Sequence, residues 1–227
     1  MKNTLVVGLV TLTLLFSCKE QQKPVVEEVE TPDKELSIPE QIADANGFAN
    51  WKNVNKITFS FNVDRDSSHF ERTWSWAPKS NDVIFTTRED TISYNRKAID
   101  TVLAKTDAGF INDKFWLLAP YQLVWDKNSY TYEHQTSAMA PMSQTAMQKL
   151  TIVYGNEGGY TPGDAYDFYF EDDFVIKEWA FRKGNQAEPN MVTSWEDYKK
   201  FNGLNIASMH KRLDGNFKLY FTGIMVD

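Results

Sequence analysis

The chain has three histidines, His69, His134 and His210. None stands in the His-x-His or His-Glu-x-x-His spacing that puts two metal ligands on one face. Glu133 and His134 are neighbours, so on a strand they point to opposite sides. An ordinary packed or solvated histidine explains each one, and no metal site or cofactor is expected. The run Gly155-Asn156-Glu157-Gly158-Gly159 lacks the Gly-Lys-Ser/Thr ending of a phosphate loop and joins two strand patterns. It reads either as a connector or as a loop at the mouth of a cavity. Glu171-Asp172-Asp173 offers oxygens of the kind hard cations take, and a solvated hairpin tip explains it equally well. No Gly-x-Ser-x-Gly elbow presents a nucleophile, although composition leaves a Ser-His-Asp arrangement open. No residue is singled out as catalytic, and an enzyme is the least favoured class.

The single cysteine, Cys18, carries the sharpest signal. Met1-Lys2-Asn3 is a short positive start, and Thr4 to Phe16 is apolar and uncharged. That stretch suits the core of a secretion signal, whereas a spanning helix needs roughly 20 apolar residues. Leu15-Phe16-Ser17-Cys18 then resembles the lipobox read by lipoprotein signal peptidase. The resemblance implies a signal peptide over 1–17 and a diacylglycerol and an acyl chain, such as palmitate, on Cys18. Each buried methylene contributes about 0.8 kcal/mol, and two or more chains hold a protein on a bilayer. Acylated, Cys18 leaves no thiol for disulfides, thiol catalysis or zinc. Residues 18–36 read as the lipidated cysteine and a flexible acidic tether. Lys19 to Glu35 holds three Lys, six Asp or Glu and no aromatic residue, too little apolar surface to order itself.

Residues 37–227 are long enough for one domain with its own core. The net charge of −7, with no basic run, argues against a nucleic-acid partner, and a monomer is expected. The 15 Phe, 10 Tyr and 7 Trp favour strands and suffice to line an apolar or sugar-binding groove as well.

Ser37 and Glu40 have capping-box spacing, with Pro39 in the first turn of a helix that Gly47 can end. Phe48 to Trp51 reads as a short second turn packed on the sheet. The period then changes to two. Ile57, Phe59, Phe61 and Val63 alternate with polar residues, as do Phe70, Arg72, Trp74 and Trp76, and short strands follow at 83–86, 91–94 and 99–103. Residues 107–118 predict a second helix with Phe110, Ile111, Phe115 and Leu118 on one stripe, ended by Pro120. Strand patterns resume at 121–125, 130–136, 149–154, 166–170, 174–181, 191–195, 205–210 and 217–226. Asp214-Gly215 is a hairpin turn. The fold class is α+β: a large curved antiparallel sheet of about ten strands, an incomplete or open β-barrel, with helices covering its concave side. A closed barrel is the alternative.

If strands 57–63 and 70–76 pair as a meander, their apolar rows lie side by side, facing the stripe of the second helix. The candidate ligand-binding residues are therefore Trp51, Phe59, Phe61, Trp74, Trp76, Phe110, Phe115, Trp116 and Leu118, many of which could equally be plain core. Arg72 alternates into the same face, where it could meet an anionic head group or snorkel to the rim.

The order of elements resembles the lipoprotein-localisation superfamily (LolA and LolB), and more closely a group of uncharacterised Bacteroidetes lipoproteins of that shape. The residues carrying the resemblance are Asn46-Gly47 with Trp51, Phe115-Trp116-Leu117-Leu118-Ala119-Pro120, Asp164-Ala165-Tyr166-Asp167-Phe168-Tyr169, and Trp195-Glu196-Asp197-Tyr198 continuing to Asn202-Gly203-Leu204. They span about residues 38–226. The resemblance implies a half-barrel covered by helices that encloses an apolar cavity for acyl chains. A membrane-anchored, non-enzymatic binding protein for a lipid or acyl chain is the first reading. A cell-surface glycan- or protein-interaction module is the alternative. Lys19, where an aspartate would retain a lipoprotein in the inner membrane, points to the outer membrane, and Cys18-Lys19-Glu20 partly resembles a Bacteroidetes surface-export signal. The leaflet, periplasmic or outer, stays open. Asp90-Thr91-Ile92 and Asp100-Thr101-Val102 resemble the O-glycosylation sequon of exported Bacteroidetes proteins, which marks Thr91 and Thr101.

Overall fold

The computed structural model describes residues 35–157 and 161–227. The expected signal peptide, Cys18 and most of the tether lie outside the described residues, as does 158–160 of the glycine-rich loop.

The domain opens on α1 (Ile38–Ala45). Glu40 Oε2 accepts from the Ser37 backbone N–H at 2.9 Å and its hydroxyl at 2.7 Å, so the capping residues satisfy donors the first turn leaves free. Gly47 then turns at φ +82, which brings the 3₁₀ turn Phe48–Asn53 against the sheet. A Cβ on Gly47 would collide with the Gly203 carbonyl. Here two segments of the family resemblance meet. The Asn205 N–H donates to the Asn46 carbonyl at 2.9 Å, and Asn50 Nδ2 donates to the Gly203 carbonyl at 3.1 Å.

The first half of the sheet comes from β1 (Ile57–Arg65), β2 (Ser68–Ala77), β3 (Asp82–Thr86) and β4 (Thr91–Asn95). The register sets Ile57 opposite Trp76, Phe59 opposite Trp74 and Phe61 opposite Arg72, so the two apolar rows are neighbours on one face. The other face is polar, with Thr58 bonded to Ser75 and Ser60 to Thr73 across the strands. After helix α2 (Ala104–Trp125), five strands follow: β5 (Tyr130–Met139), β6 (Ala146–Tyr154), β7 (Ala165–Phe170), β8 (Ile176–Arg182) and β9 (Met191–Ser194). The hairpin β10 (Lys199–Phe201) and β11 (Leu204–Ile206) turns on Asn202 and Gly203, both at positive φ. Then come β12 (Met209–Lys211) and β13 (Phe217–Val226).

Two antiparallel sheets result, ordered β12-β13-β1-β2-β3-β4 and β5-β6-β7-β8-β9. A bridge between Glu196 and Met209 joins the β9 end of one to the β12 edge of the other. β4 and β5 form the remaining edges and do not pair. The barrel is incomplete, and α2 makes the crossing from one open edge to the other. The fold is the α+β, curved, unclosed sheet that the strand patterns predict.

Four local expectations are corrected. Pro120 does not end the second helix. Leu118 leaves helical geometry (φ −124, ψ 23) and a further segment runs to Trp125. Pro120 thereby falls in the first turn of that segment, where its missing N–H is not needed. The strand expected at 121–125 is therefore helix. Tyr121 and Leu123 alternate like strand residues, but Leu117 to Leu123 are buried all round, which erases any helical stripe. Residues 99–103 turn because Asp100 Oδ1 accepts from the Val102 and Leu103 N–H groups, an Asx turn that leads into the helix. Segment 205–210 divides into β11 and β12, and β10 carried no readable pattern; these two gains offset the two strands lost, and the described residues hold thirteen strands.

Candidate functional site

Two buried carboxylates on α2 fix the helix over the first sheet. Asp113 accepts from Arg72 Nε and Nη2, both at 2.6 Å, and from Trp74 Nε1 at 2.7 Å. Gly109 makes room for that guanidinium, since a Cβ there would stand 2.8 Å from Arg72 Nη1. Asp107 accepts from Arg96 Nε at 2.8 Å and from the Tyr94 hydroxyl at 3.1 Å. Burial pushes the Asp113 carboxyl above the usual range, outweighing the downward pull of Arg72. Between the two latches Phe110 packs edge-on against Trp74 and Trp76, at 5.5 and 5.6 Å.

Elsewhere α2 stands off the sheet, and a cavity of about 990 Å³ surrounds that stretch. Its volume lies at the upper end of the roughly 300–1,000 Å³ usual for ligand pockets. One wall is an aromatic cluster in which Trp51 lies 5.7 Å from Trp76 and 4.7 Å from Trp125. The opposite wall joins Phe115 and Trp116 of α2 to Tyr166 and Trp179 of the second sheet, at 4.7 and 4.4 Å. Phe61, Val63, Phe217 and Leu219 of β1 and β13 form the floor, and Ile111 faces the space from the helix. Exposed Arg65, Ser129 and Glu157 also border it.

The lining is mostly apolar, but Lys114, Arg96, Asn112, Gln122 and Asp126 also border the cavity, and Lys114 stands out among them. It is 6% exposed, and its Nζ lies 5.5 Å from the Trp76 ring centre and 5.3 Å from that of Trp125. Burial drives its pKa down to about 8, with the Arg96 charge pushing the same way and Asp126 and Asp107 opposing. It has no ion-pair partner among the described residues. Three further polar atoms of lining residues, Trp76 Nε1, Gln122 Oε1 and Trp179 Nε1, lack a hydrogen-bond partner among the described residues. Burial pushes the Tyr154 and Tyr166 hydroxyls up. Tyr154 donates to Asp126 Oδ2 at 3.0 Å.

Of the candidate residues, Trp51, Phe61, Trp76, Phe115 and Trp116 line the cavity. Phe59, Trp74, Phe110 and Leu118 are wholly buried in the core. They lie where helix and sheet touch, so their faces are filled by packing. Arg72 neither reaches the cavity nor snorkels, because Asp113 holds its guanidinium. Thr91 and Thr101 are exposed, one opening β4 and the other in the turn before α2. Lys114, Trp125, Tyr166 and Trp179 were not singled out from the sequence. Lys114 left a legible signal, standing four residues from both Phe110 and Leu118 and so in the middle of the apolar stripe.

The three histidines have separate surroundings. His69 bonds Asp64 at 2.6 Å, His134 bonds Gln148 at 3.0 Å, and His210 is wholly buried. Among the described residues, no three His, Cys, Asp or Glu side chains are grouped to hold a metal ion. In the acidic hairpin tip, Asp173 pairs with Lys177 at 2.7 Å and Asp172 accepts from Gln148. Gly155, Glu157 and Thr161 bring the glycine-rich loop to the cavity. Among the described residues, Phe70 and Tyr132 are the large aromatics most open to solvent, each 47% exposed.

No family model matches the chain, and no curated protein does. Solved structures do. A DUF1329 family protein from Desulfovibrio piger is 8% identical over 85% of this chain and 94% of that one, with a TM-score of 0.46. A domain described as an outer membrane lipoprotein-sorting protein, from Vibrio parahaemolyticus, is 9% identical over 83% and 93%, with a TM-score of 0.46. A LolA superfamily protein from Nitrosomonas europaea is 7% identical over 85% and 94%, with a TM-score of 0.47.

Proposed function

We propose that this protein is a non-enzymatic binding protein of the cell envelope that holds an apolar ligand, a lipid or an acyl chain, around helix α2. The observation that carries this reading is the aromatic-walled cavity of about 990 Å³. A close-packed interior leaves few voids larger than a water molecule, so a space of this size with apolar walls fits a ligand better than a packing defect. Binding would scale with area, roughly 25 cal/mol per Å² of apolar surface removed from water. A glycan-binding module would show a row of exposed Trp and Tyr, and here the tryptophans face inward. In this reading Cys18 carries the lipid anchor at the outer membrane. Thr91 and Thr101 are the proposed glycan acceptors.

The test is displacement of a fluorescent fatty-acid analogue from delipidated protein, comparing wild type with Ile111→Trp, which fills the space from the helix side. Saturable binding that Ile111→Trp weakens by about tenfold or more, with an unchanged circular dichroism spectrum, is expected if the analogue buries most of its chain there. Well-folded wild-type protein that gives no signal overturns the reading.

A further inference from the structure

We propose that Lys114 is the head-group receptor of this cavity and that the ligand is a single-chain amphiphile ending in a carboxylate, in chemical class a fatty-acid anion. The proposal rests on the apolar-ligand reading above and narrows it to one kind of molecule.

A lysine ammonium has three donors and no acceptor, and burying it unpaired is costly. Lys114 is buried with the faces of Trp76 and Trp125 near its Nζ. Ring faces attract the cation but leave its N–H donors without a full acceptor. The charged groups acting on it are already engaged or at a distance. Arg96, beyond β4, is tied to Asp107 on the same helix. Asp126, just past the helix end, forms no ion pair with Lys114 and accepts from Tyr154. Of the other two cations of the lining, Arg96 is the one held by Asp107, and Arg65 is exposed and lies over Phe217. The inner wall thus offers one uncommitted positive charge. One charge suits a monoanion. A phosphate monoester carries nearly two and is better met by the fork of an arginine or by several N–H groups.

Position agrees with charge. Lys114 follows Ile111 and precedes Phe115, so a carboxylate on Nζ would leave its chain to run along residues that line the same cavity. Charge and pH are linked: with its pKa near 8, the free lysine is cationic at pH 7 and loses its proton above pH 8. A bound carboxylate would raise that pKa, so affinity should fall as pH rises past the free value.

The experiment titrates delipidated protein with dodecanoate, dodecanol and dodecyl phosphate, following tryptophan fluorescence, for wild type and Lys114→Met. Methionine keeps the length and removes the charge. Dodecanoate should bind Lys114→Met at least about tenfold more weakly, the equivalent of one charge-assisted hydrogen bond, while dodecanol binds both proteins alike. In wild type, dodecanoate affinity should drop by about tenfold or more between pH 7 and 9.5 with dodecanol unaffected; this arm decides the matter if Lys114→Met does not fold. Equal dodecanoate affinity in the two proteins, or a flat pH profile, overturns the role of Lys114 while dodecanol binding leaves the apolar cavity standing. Tighter binding of dodecyl phosphate than of dodecanoate overturns the carboxylate assignment. If no amphiphile binds the wild type, the apolar-ligand reading itself fails.

Discussion

Replacing Asp113 with alanine should remove about 4 kcal/mol of stability. Asp113 is wholly buried and accepts from Arg72, Trp74 and Asn112. Without it, the Arg72 side chain, 21% exposed, keeps only a 3.4 Å contact to the Gly109 carbonyl and three ring faces. Breaking a buried ion pair from one side costs about 3–5 kcal/mol, and partial exposure puts Arg72 at the lower end. The Trp74 indole N–H loses its acceptor inside the core, about 1–3 kcal/mol by itself. The two losses share one carboxylate and do not add in full. A domain of this size has roughly 5–15 kcal/mol in all, and each kcal/mol lost lowers Tm by about 2–4 °C. Urea unfolding followed by tryptophan fluorescence measures the change. The double variant Arg72→Met with Asp113→Leu leaves no lone charge and should lie within about 2 kcal/mol of wild type. If Asp113→Ala stays within about 1 kcal/mol of wild type at an unchanged m-value, the latch does not hold α2 as described. Because burial raises the Asp113 pKa, protonation is easier folded than unfolded, so acid does not weaken the protein through this residue.

Acid sensitivity should come instead from His210, which is wholly buried against Trp116, Trp195 and Phe221 with Nε2 unbonded. Burial lowers its pKa from 6.5 to about 3, so its neutral form favours folding above pH 6.5 and that advantage is lost as pH falls toward 3. His210→Phe should flatten the Tm profile between pH 6.5 and 4, and parallel profiles would contradict this. Gly47→Ala should cost about 2 kcal/mol or more, through positive φ and collision with the Gly203 carbonyl. It should also weaken ligand binding, because Trp51 hangs from the same turn; an unchanged melting curve would speak against it. Cys18→Ser should abolish palmitate labelling and mislocalise the chain, and label in the variant would refute the anchor. Intact mass of native protein at the unglycosylated value would rule out sugars on Thr91 and Thr101.

Local patterns made much of the fold legible in advance. Period-two alternation at Ile57–Val63 and Phe70–Trp76 fixes which side chains share a face, because strand geometry admits no other arrangement. Ser37 with Glu40 marks the start of α1 for equally local reasons. The break at Leu118 and the helix beyond it could not be read, because Pro120 and the Tyr121–Trp125 alternation carry the same letters as a strand. Which apolar residues pack and which line space was also hidden. Phe59 and Phe61 are equivalent in sequence, yet Phe59 is core and Phe61 faces the cavity. That difference is set where α2 touches the sheet and where it stands off, and the touching points are ion pairs between residues 41 and 11 positions apart. The role of Arg72 changed for the same reason: alternation put it on the inner face, and only the approach of Asp113 from another element decided what it meets. Lys114 shows the reverse. Helical spacing put it in the apolar stripe, but only the tertiary structure brought Trp76 and Trp125 to it with no carboxylate close enough to pair with it among the described residues, which makes a buried charge a candidate receptor.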